Sequence, residues 1–149
     1  MENNSEPKAI IDCIKTYFEG CPYLNDLDIN VDYLGDDSNY SIEETPSTII
    51  IREFVDGSSE RQCQFVFASR LFFSTVENQQ NINNLHLFEK IANWLEKNTN
   101  DGVLPELNEG QTATRIEALS SGYLYGTDNQ NEYARYQIQC RLVYEVEEE

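Results

Sequence analysis

The chain is 149 residues long, enough for one domain built around a single core. Hydrophobic residues make up 40% of it and aromatic residues 11%, which excludes a disordered polymer. Its 27 acidic against 10 basic residues leave a formal charge of −17, which repels phosphate backbones and anionic membranes and argues against ordinary nucleic-acid or membrane binding.

The opening Met1-Glu2-Asn3-Asn4-Ser5-Glu6 lacks the cationic, apolar pattern of an export signal. Apolar runs such as Ile49-Ile50-Ile51 are too short to span a bilayer. A soluble, intracellular protein is the expectation. Ser5 suits the cap of a first helix, with Glu6 and Pro7 in its opening turn. Ile10, Ile11, Ile14, Tyr17 and Phe18 recur at helical spacing, and Gly20 with Pro22 ends the run.

Leu27, Ile29, Val31 and Tyr33 alternate with Asp28, Asn30 and Asp32, which predicts a half-exposed strand. A turn-rich loop follows at Gly35, Asp36, Asp37, Ser38 and Asn39. After Tyr40 to Ile42 and a break at Pro46, residues 47–54 predict a second strand. Asp56-Gly57 is a hairpin turn, and residues 61–73 return as a third strand with Cys63, Phe65 and Phe67 on one face.

Ser74-x-x-Glu77 is a capping-box pattern for a short helix. A fuller helix is predicted over residues 85–98, with Leu85, Phe88, Ile91, Ala92 and Leu95 on one face and Trp94 at its edge. The preceding Asn78 to Asn84 is a polar, Asn/Gln-rich segment. Two last strands, 115–125 and 133–146, flank a turn at Gly126-Thr127-Asp128-Asn129.

In the last strand Tyr136, Ile138, Cys140, Leu142 and Tyr144 share one face, and Arg135, Gln137, Gln139 and Arg141 the other. That spacing predicts a buried and a wet side, so that Gln137→Asp is expected to be tolerated. The acidic end, residues 145–149, is expected to fray because its charges repel. The elements run α-β-β-β-α-β-β and lack βαβ periodicity. They predict a single α+β domain over 1–149, a mainly antiparallel sheet of about five strands with two amphipathic helices on one face.

Catalytic and metal chemistry finds little footing in the residues. Asp26-x-Asp28-x-Asn30-x-Asp32 has Val31 where a calcium loop counted from Asp26 needs glycine, and Asp37 where it needs glutamate. His86 is the one histidine, without the second that a zinc motif or the serine elbow that a triad would bring. No glycine-rich phosphate loop occurs. Tyr123, Tyr125, Tyr136 and Tyr144 suit an aromatic sugar platform less well than core or interface positions. Cys13, Cys21, Cys63 and Cys140 form no C-x-x-C pair and are expected to be small buried hydrophobes in a reducing cell. No cofactor, no metal and no enzyme activity is expected.

Several blocks together resemble the small tail-completion proteins, or tail terminators, of long-tailed phages and prophages, often labelled minor capsid proteins. They are Val31-Asp32-Tyr33-Leu34-Gly35, Tyr40-Ser41-Ile42-Glu43 with Pro46, Asp56-Gly57, and Arg61-Gln62-x-x-Phe65-x-Phe67. Trp94-Leu95, Leu104-Pro105-x-Leu107, Gly122-Tyr123-Leu124 and the strand from Ala134 to Tyr144 continue the series. Together they cover residues 24–144.

The resemblance implies a homo-oligomeric, six-fold ring on the head-proximal end of the tail tube. Its partners would be further copies of itself, the tail-tube protein and a head-completion protein. It would assemble in the bacterial cytoplasm and end at the head–tail junction, binding neither membrane nor specific nucleic-acid sequence. It supplies no catalytic residues. Candidate subunit or tube contacts are the rim loops Gly35, Asp36, Asp37, Ser38 and Asn39, and Asp56, Gly57, Ser58, Ser59 and Glu60. The alternative the charge allows is an acidic inhibitor, a DNA mimic or an immunity protein, set against a basic nuclease or toxin.

Overall fold

A computed structural model describes residues 6–25, 27–128, 130 and 132–148. Two helices, α1 (Ile10–Phe18) and α2 (Asn78–Asp101), accompany seven strands. The strands are β1 (Ile29–Val31), β2 (Asn39–Thr45), β3 (Ile50–Glu53), β4 (Ser59–Phe72), β5 (Gln111–Ala118), β6 (Tyr123–Thr127) and β7 (Tyr133–Val146). The α+β class stands. The sheet is mixed and seven-stranded instead of antiparallel and five-stranded, because β1 pairs with β2 in parallel and every other pairing is antiparallel.

The axis of the sheet is the β4–β7 ladder, in register from Ser59↔Val146 to Phe72↔Tyr133. Each of these two long strands carries two shorter neighbours in succession along its outer edge. On β4 these are β3, opposite residues 59–61, and β2, opposite 64–70. On β7 they are β6, opposite 134–137, and β5, opposite 140–146.

The register puts Phe65, Phe67 and Ser69 of β4 beside Ile138, Cys140 and Tyr136 of β7 on one face. Both helices lie there. Phe18 of α1 stacks on Phe67 at 4.9 Å and meets Phe65 edge-on at 5.9 Å. From α2, Phe88, Ile91 and Leu95 are fully buried, and the Phe88 ring lies 6.4 Å from both Phe67 and Tyr136.

The differences from expectation have local causes. The first strand is cut to three residues because Asp32 turns to φ +69°, a left-handed conformation that aspartate tolerates better than most side chains. Asp26 lies outside the described residues, as does the Ser5 cap. Glu6 and Pro7 precede α1, which starts after Ala9. The backbone at Lys8 is held by Asn108 instead, which accepts from the Lys8 N–H and donates to its carbonyl, both at 2.8 Å.

Residues 39–45 form a full strand that the sequence shows only as the fragment Tyr40 to Ile42. The expected 115–125 strand is two, β5 and β6, separated at residues 119–122. Gly122 there backs onto Phe88 so closely that a Cβ would sit 2.3 Å from that of Phe88. The polar segment 78–84 forms the first two turns of α2, so the helix begins seven residues ahead of the predicted 85–98. Ser74 Oγ accepts from the Val76 and Glu77 N–H groups just ahead of the helix. Asn81 exchanges hydrogen bonds with the Ser74 backbone, and buried Asn84 donates to the Phe72 carbonyl at 2.7 Å. Leu85, expected on the core face, is exposed, with Asn84 in its place.

Glu145 and Val146, expected to fray, close the β4–β7 ladder opposite Glu60 and Ser59. The Glu147 N–H donates to the Gly110 carbonyl. Glu149 lies outside the described residues.

Candidate interaction surface

The two candidate loops sit at opposite ends of the sheet. The 35–38 loop leads into β2, whose first residue, Asn39, pairs with Arg70 near the end of β4. The 56–58 turn leads into the start of β4 at Ser59. Ser59 and Arg70 are eleven steps apart along β4, about 36 Å at 3.3 Å per residue. One partner face therefore cannot be built from both loops.

Within the first loop, Asn39 is an organiser and not a contact. Its side chain is buried and accepts from the Gly35 N–H at 2.8 Å while donating to the Gly35 and Asp37 carbonyls. Arg70 Nε donates to the Asp36 carbonyl at 2.9 Å. The Asp36 and Asp37 carboxylates are left outward on a backbone fixed from behind. At the other end Asp56 Oδ1 accepts from the Ser58 N–H and hydroxyl, which hold its carboxyl below the usual carboxylate range. Gly57 follows at φ +93°, a conformation that glycine adopts at no steric cost. Ser59 is buried and accepts from Arg61 Nε at 3.0 Å. Asn39 and Ser59 therefore drop out of the expected contact set. Asp36, Asp37, Asp56 and Gly57 are exposed, and Gly35, Ser38, Ser58 and Glu60 are half-buried.

The sheet face opposite the helices carries a lattice of paired charges. Arg135 grips Glu43 with two nitrogens, at 2.8 and 3.1 Å. Glu117 Oε2 receives Arg141 Nε at 2.6 Å and Arg115 Nε at 3.2 Å. Arg70 reaches Asp128 at 3.3 Å and lies over the Tyr133 ring. Asp128 also accepts from the backbone N–H groups of Glu132, Tyr133 and Gln130, and so closes the β6–β7 turn. Those N–H groups, Glu132's foremost, with Arg70 beyond them, keep its carboxyl below the usual range.

Arg135 does the same for Glu43, against the opposing pull of burial. Burial pushes the Glu117 carboxyl up, but Arg141 and Arg115 outweigh it. Most of the basic charge on this face is thus neutralised in place, and the net −17 is expressed elsewhere.

Gln137 belongs to this lattice. It is only 6% exposed, donates to the Tyr123 hydroxyl at 2.7 Å and accepts from Arg135 Nε at 2.8 Å. The expectation that it tolerates aspartate is therefore withdrawn, because a side chain one methylene shorter cannot span both partners. Removal of Arg135 tests the lattice directly. Arg135→Ala leaves the Glu43 carboxylate half-buried with the Ser41 hydroxyl but without its cation, at an expected cost of about 1–3 kcal/mol at neutral pH. The Glu43 pKa is lowered by folding, so its contribution is present above the ordinary glutamate range and lost as pH falls through the lowered value. The gap between wild type and Arg135→Ala should therefore close in acid. A pH series of thermal melts reads it.

Other sequence candidates fall in scattered places. Tyr136 and Tyr144 are in the core while Tyr123 and Tyr125 lie on β6, so the four tyrosines form no common platform. His86 is on the exposed side of α2, 2.9 Å from Glu89. The four cysteines are buried and unpaired, and burial, reinforced by Glu44, pushes the Cys63 thiol up to about 12. Among the described residues no three His, Cys, Asp or Glu side chains are grouped to hold a metal, and no helix is long and apolar enough to cross a membrane.

The feature that sequence reasoning missed is a pair of bare apolar strands. Ile49, Ile50 and Ile51 at β3 are 57%, 39% and 41% exposed, and Leu124 and Tyr125 of β6 are 45% and 65% exposed. The isoleucine run was visible as a strand, but only the topology reveals that, among the described residues, it pairs with β4 alone. No protein-family model matches this chain, and no curated protein matches it.

Proposed function

We propose that the chain is a structural tail-completion protein of a phage or prophage. It would cap the head-proximal end of the tail tube as a six-fold ring, stop further tube growth and offer a surface to a head-completion protein. One observation carries the reading: the ordered blocks resembling that family lie between residues 24 and 144 and fall on β1, β2, β4, β6 and β7. The loops with exposed aspartates, at Asp36-Asp37 and at Asp56, lie at opposite ends of the subunit. That arrangement suits a ring whose two rims meet different partners. A charge of −17 also suits a lumen through which DNA passes without adhering.

Deletion of the gene from an inducible prophage, with electron microscopy of the lysate, tests the proposal. The expected result is filled heads without tails beside unattached tails of abnormal length. Normal, infectious particles would reject the tail role. The acidic inhibitor, which the same charge favours, would then lead.

A further inference from the structure

We infer that the outer edge of β3 is a docking site for a basic, extended segment of another protein, which adds a strand to the sheet there. The inference rests on the edge and the charge around it, and it is independent of the tail role.

A sheet edge exposes a row of backbone donors and acceptors that templates another strand unless it is covered, short or charged. Among the described residues β1, β3, β5 and β6 stand outermost. Thr99 of α2 covers β5, accepting from the Ile116 N–H at 3.1 Å and donating to its carbonyl at 2.8 Å. The β1 edge is three residues long and lies between Asp28 and Asp32. On β6 the Arg135 guanidinium lies over the Tyr125 ring at 5.1 Å. Strand β3 differs from all three. It pairs with β4 alone among the described residues, and each residue from 48 to 53 is exposed. Successive side chains of a strand point to opposite faces. Exposure of Ile49, Ile50 and Ile51 together therefore leaves both faces of β3 bare, and Val55 just beyond is fully exposed. Three isoleucines on such an edge favour strand addition, in which main-chain bonds supply affinity and side chains supply choice.

The charge around the edge selects the partner. This corner of the sheet consists of residues 50–61, residues 144–146 across the ladder, and Glu148 against Gly57. It carries five carboxylates, on Glu53, Asp56, Glu60, Glu145 and Glu148, and two guanidiniums, on Arg52 and Arg61. Both guanidiniums are engaged, Arg52 with Glu60 at 4.0 Å and Arg61 with Ser59 Oγ at 3.0 Å. Glu60 and Glu145 stand directly opposite each other on the ladder. Like charges so placed destabilise a sheet, and an incoming cation relieves them. An acidic strand, or a second copy bringing the same corner, is repelled, whereas lysine or arginine beside the paired segment is attracted. The occupant is therefore an apolar, β-branched stretch flanked by basic residues.

Hydrogen–deuterium exchange of the intact chain, followed amide by amide by NMR, tests this with three synthetic peptides. The first is Lys-Lys-Val-Thr-Val-Thr-Val-Lys-Lys. The second replaces each lysine by glutamate. The third replaces each threonine by proline, which keeps the charge and removes ladder donors. The first, at up to about 1 mM, should slow exchange within residues 50–53, and more at low salt than at high. The other two should not. Ile51→Lys, checked for folding by its melting curve, should bind the first peptide about tenfold more weakly. Equal protection by the glutamate peptide would overturn the choice of a basic partner. Equal protection by the proline peptide would reduce the site to charge attraction and overturn strand addition, as would protection elsewhere or none. Protection of 50–53 that grows with chain concentration alone would make a second copy the occupant and overturn the inference. The deletion experiment reads the tail role separately. Peptide binding with normal particles keeps this site and rejects the tail role; a tail defect without peptide binding does the reverse.

Discussion

Tyr136→Asp is expected to unfold the chain at room temperature, while Gln139→Asp is expected to shift the melting temperature only slightly. The two positions are three residues apart on β7 but on opposite faces of the sheet. Tyr136 is 1% exposed, pairs with Ser69 across the β4–β7 ladder and faces the Phe88 ring of α2. Among the described residues no lysine or arginine is buried. A carboxylate placed there has no partner and must stay buried, take up a proton or open the structure. Breaking burial in this way costs about 4 kcal/mol or more, against a total stability of about 5–15 kcal/mol for a domain of this kind. The lost ring contacts add to it. Gln139 is exposed, and its side chain reaches only the Tyr123 hydroxyl at 3.5 Å, so its variant should stay within about 0.5 kcal/mol of wild type. Thermal melts of both at neutral pH make the comparison. Equal melting temperatures would overturn the assignment of the two faces.

The alternation that places Tyr136 was legible because a core-facing strand has to repeat with period two. The same rule misled at Gln137, which is buried on the far face. Polarity predicts water only where nothing else covers the face, and here Tyr123 and Arg135 do so. Strand β2 was hard to see because Glu43 and Glu44 interrupt its pattern, and the ion pair of Glu43 with Arg135 bridges 92 positions of sequence. At the start of α2 the Ser74-x-x-Glu77 pattern was legible, but the continuity of the helix through residues 78–84 was not. Its order comes from Ser74, Asn81 and Asn84 bonding to backbone, and such bonds leave no apolar stripe to read. The candidate loops were correctly seen as turns, but turn chemistry is local. It cannot tell that one loop lies at the far end of the sheet from the other, or that the isoleucine strand has β4 as its one neighbour among the described residues.

The second large effect concerns α1, whose attachment to the sheet is concentrated in one ring. Phe18 is fully buried, stacked on Phe67 and edge-on to Phe65 and, at 5.7 Å, to Trp94. Ile14 is fully buried too, but the other ties of this helix lie at the margin of the core: Ile10, Ile11 and Tyr17 pack against its edge, the Tyr17 ring lies 5.0 Å from Trp94, and the Tyr17 hydroxyl donates to the Val103 carbonyl and accepts from Asn98 Nδ2. Nine residues are too few to hold a helix on their own in water. Phe18→Ala should therefore cost about 3–5 kcal/mol, and the loss should fall on α1 before it reaches the β4–β7 ladder. The cysteines report the difference. Cys13 lies within α1 and Cys21 just beyond it, whereas Cys63 and Cys140 are in β4 and β7 at the centre of the sheet. All four are buried, and burial raises the pKa of each thiol, so all four should react slowly with a maleimide in the wild-type chain. In Phe18→Ala, Cys13 and Cys21 should label rapidly while Cys63 and Cys140 stay protected, which peptide mapping by mass spectrometry resolves. Equal labelling of all four would mean that α1 and the sheet open as one unit, because detachment of the helix alone leaves the ladder's hydrogen bonds and its two thiols in place.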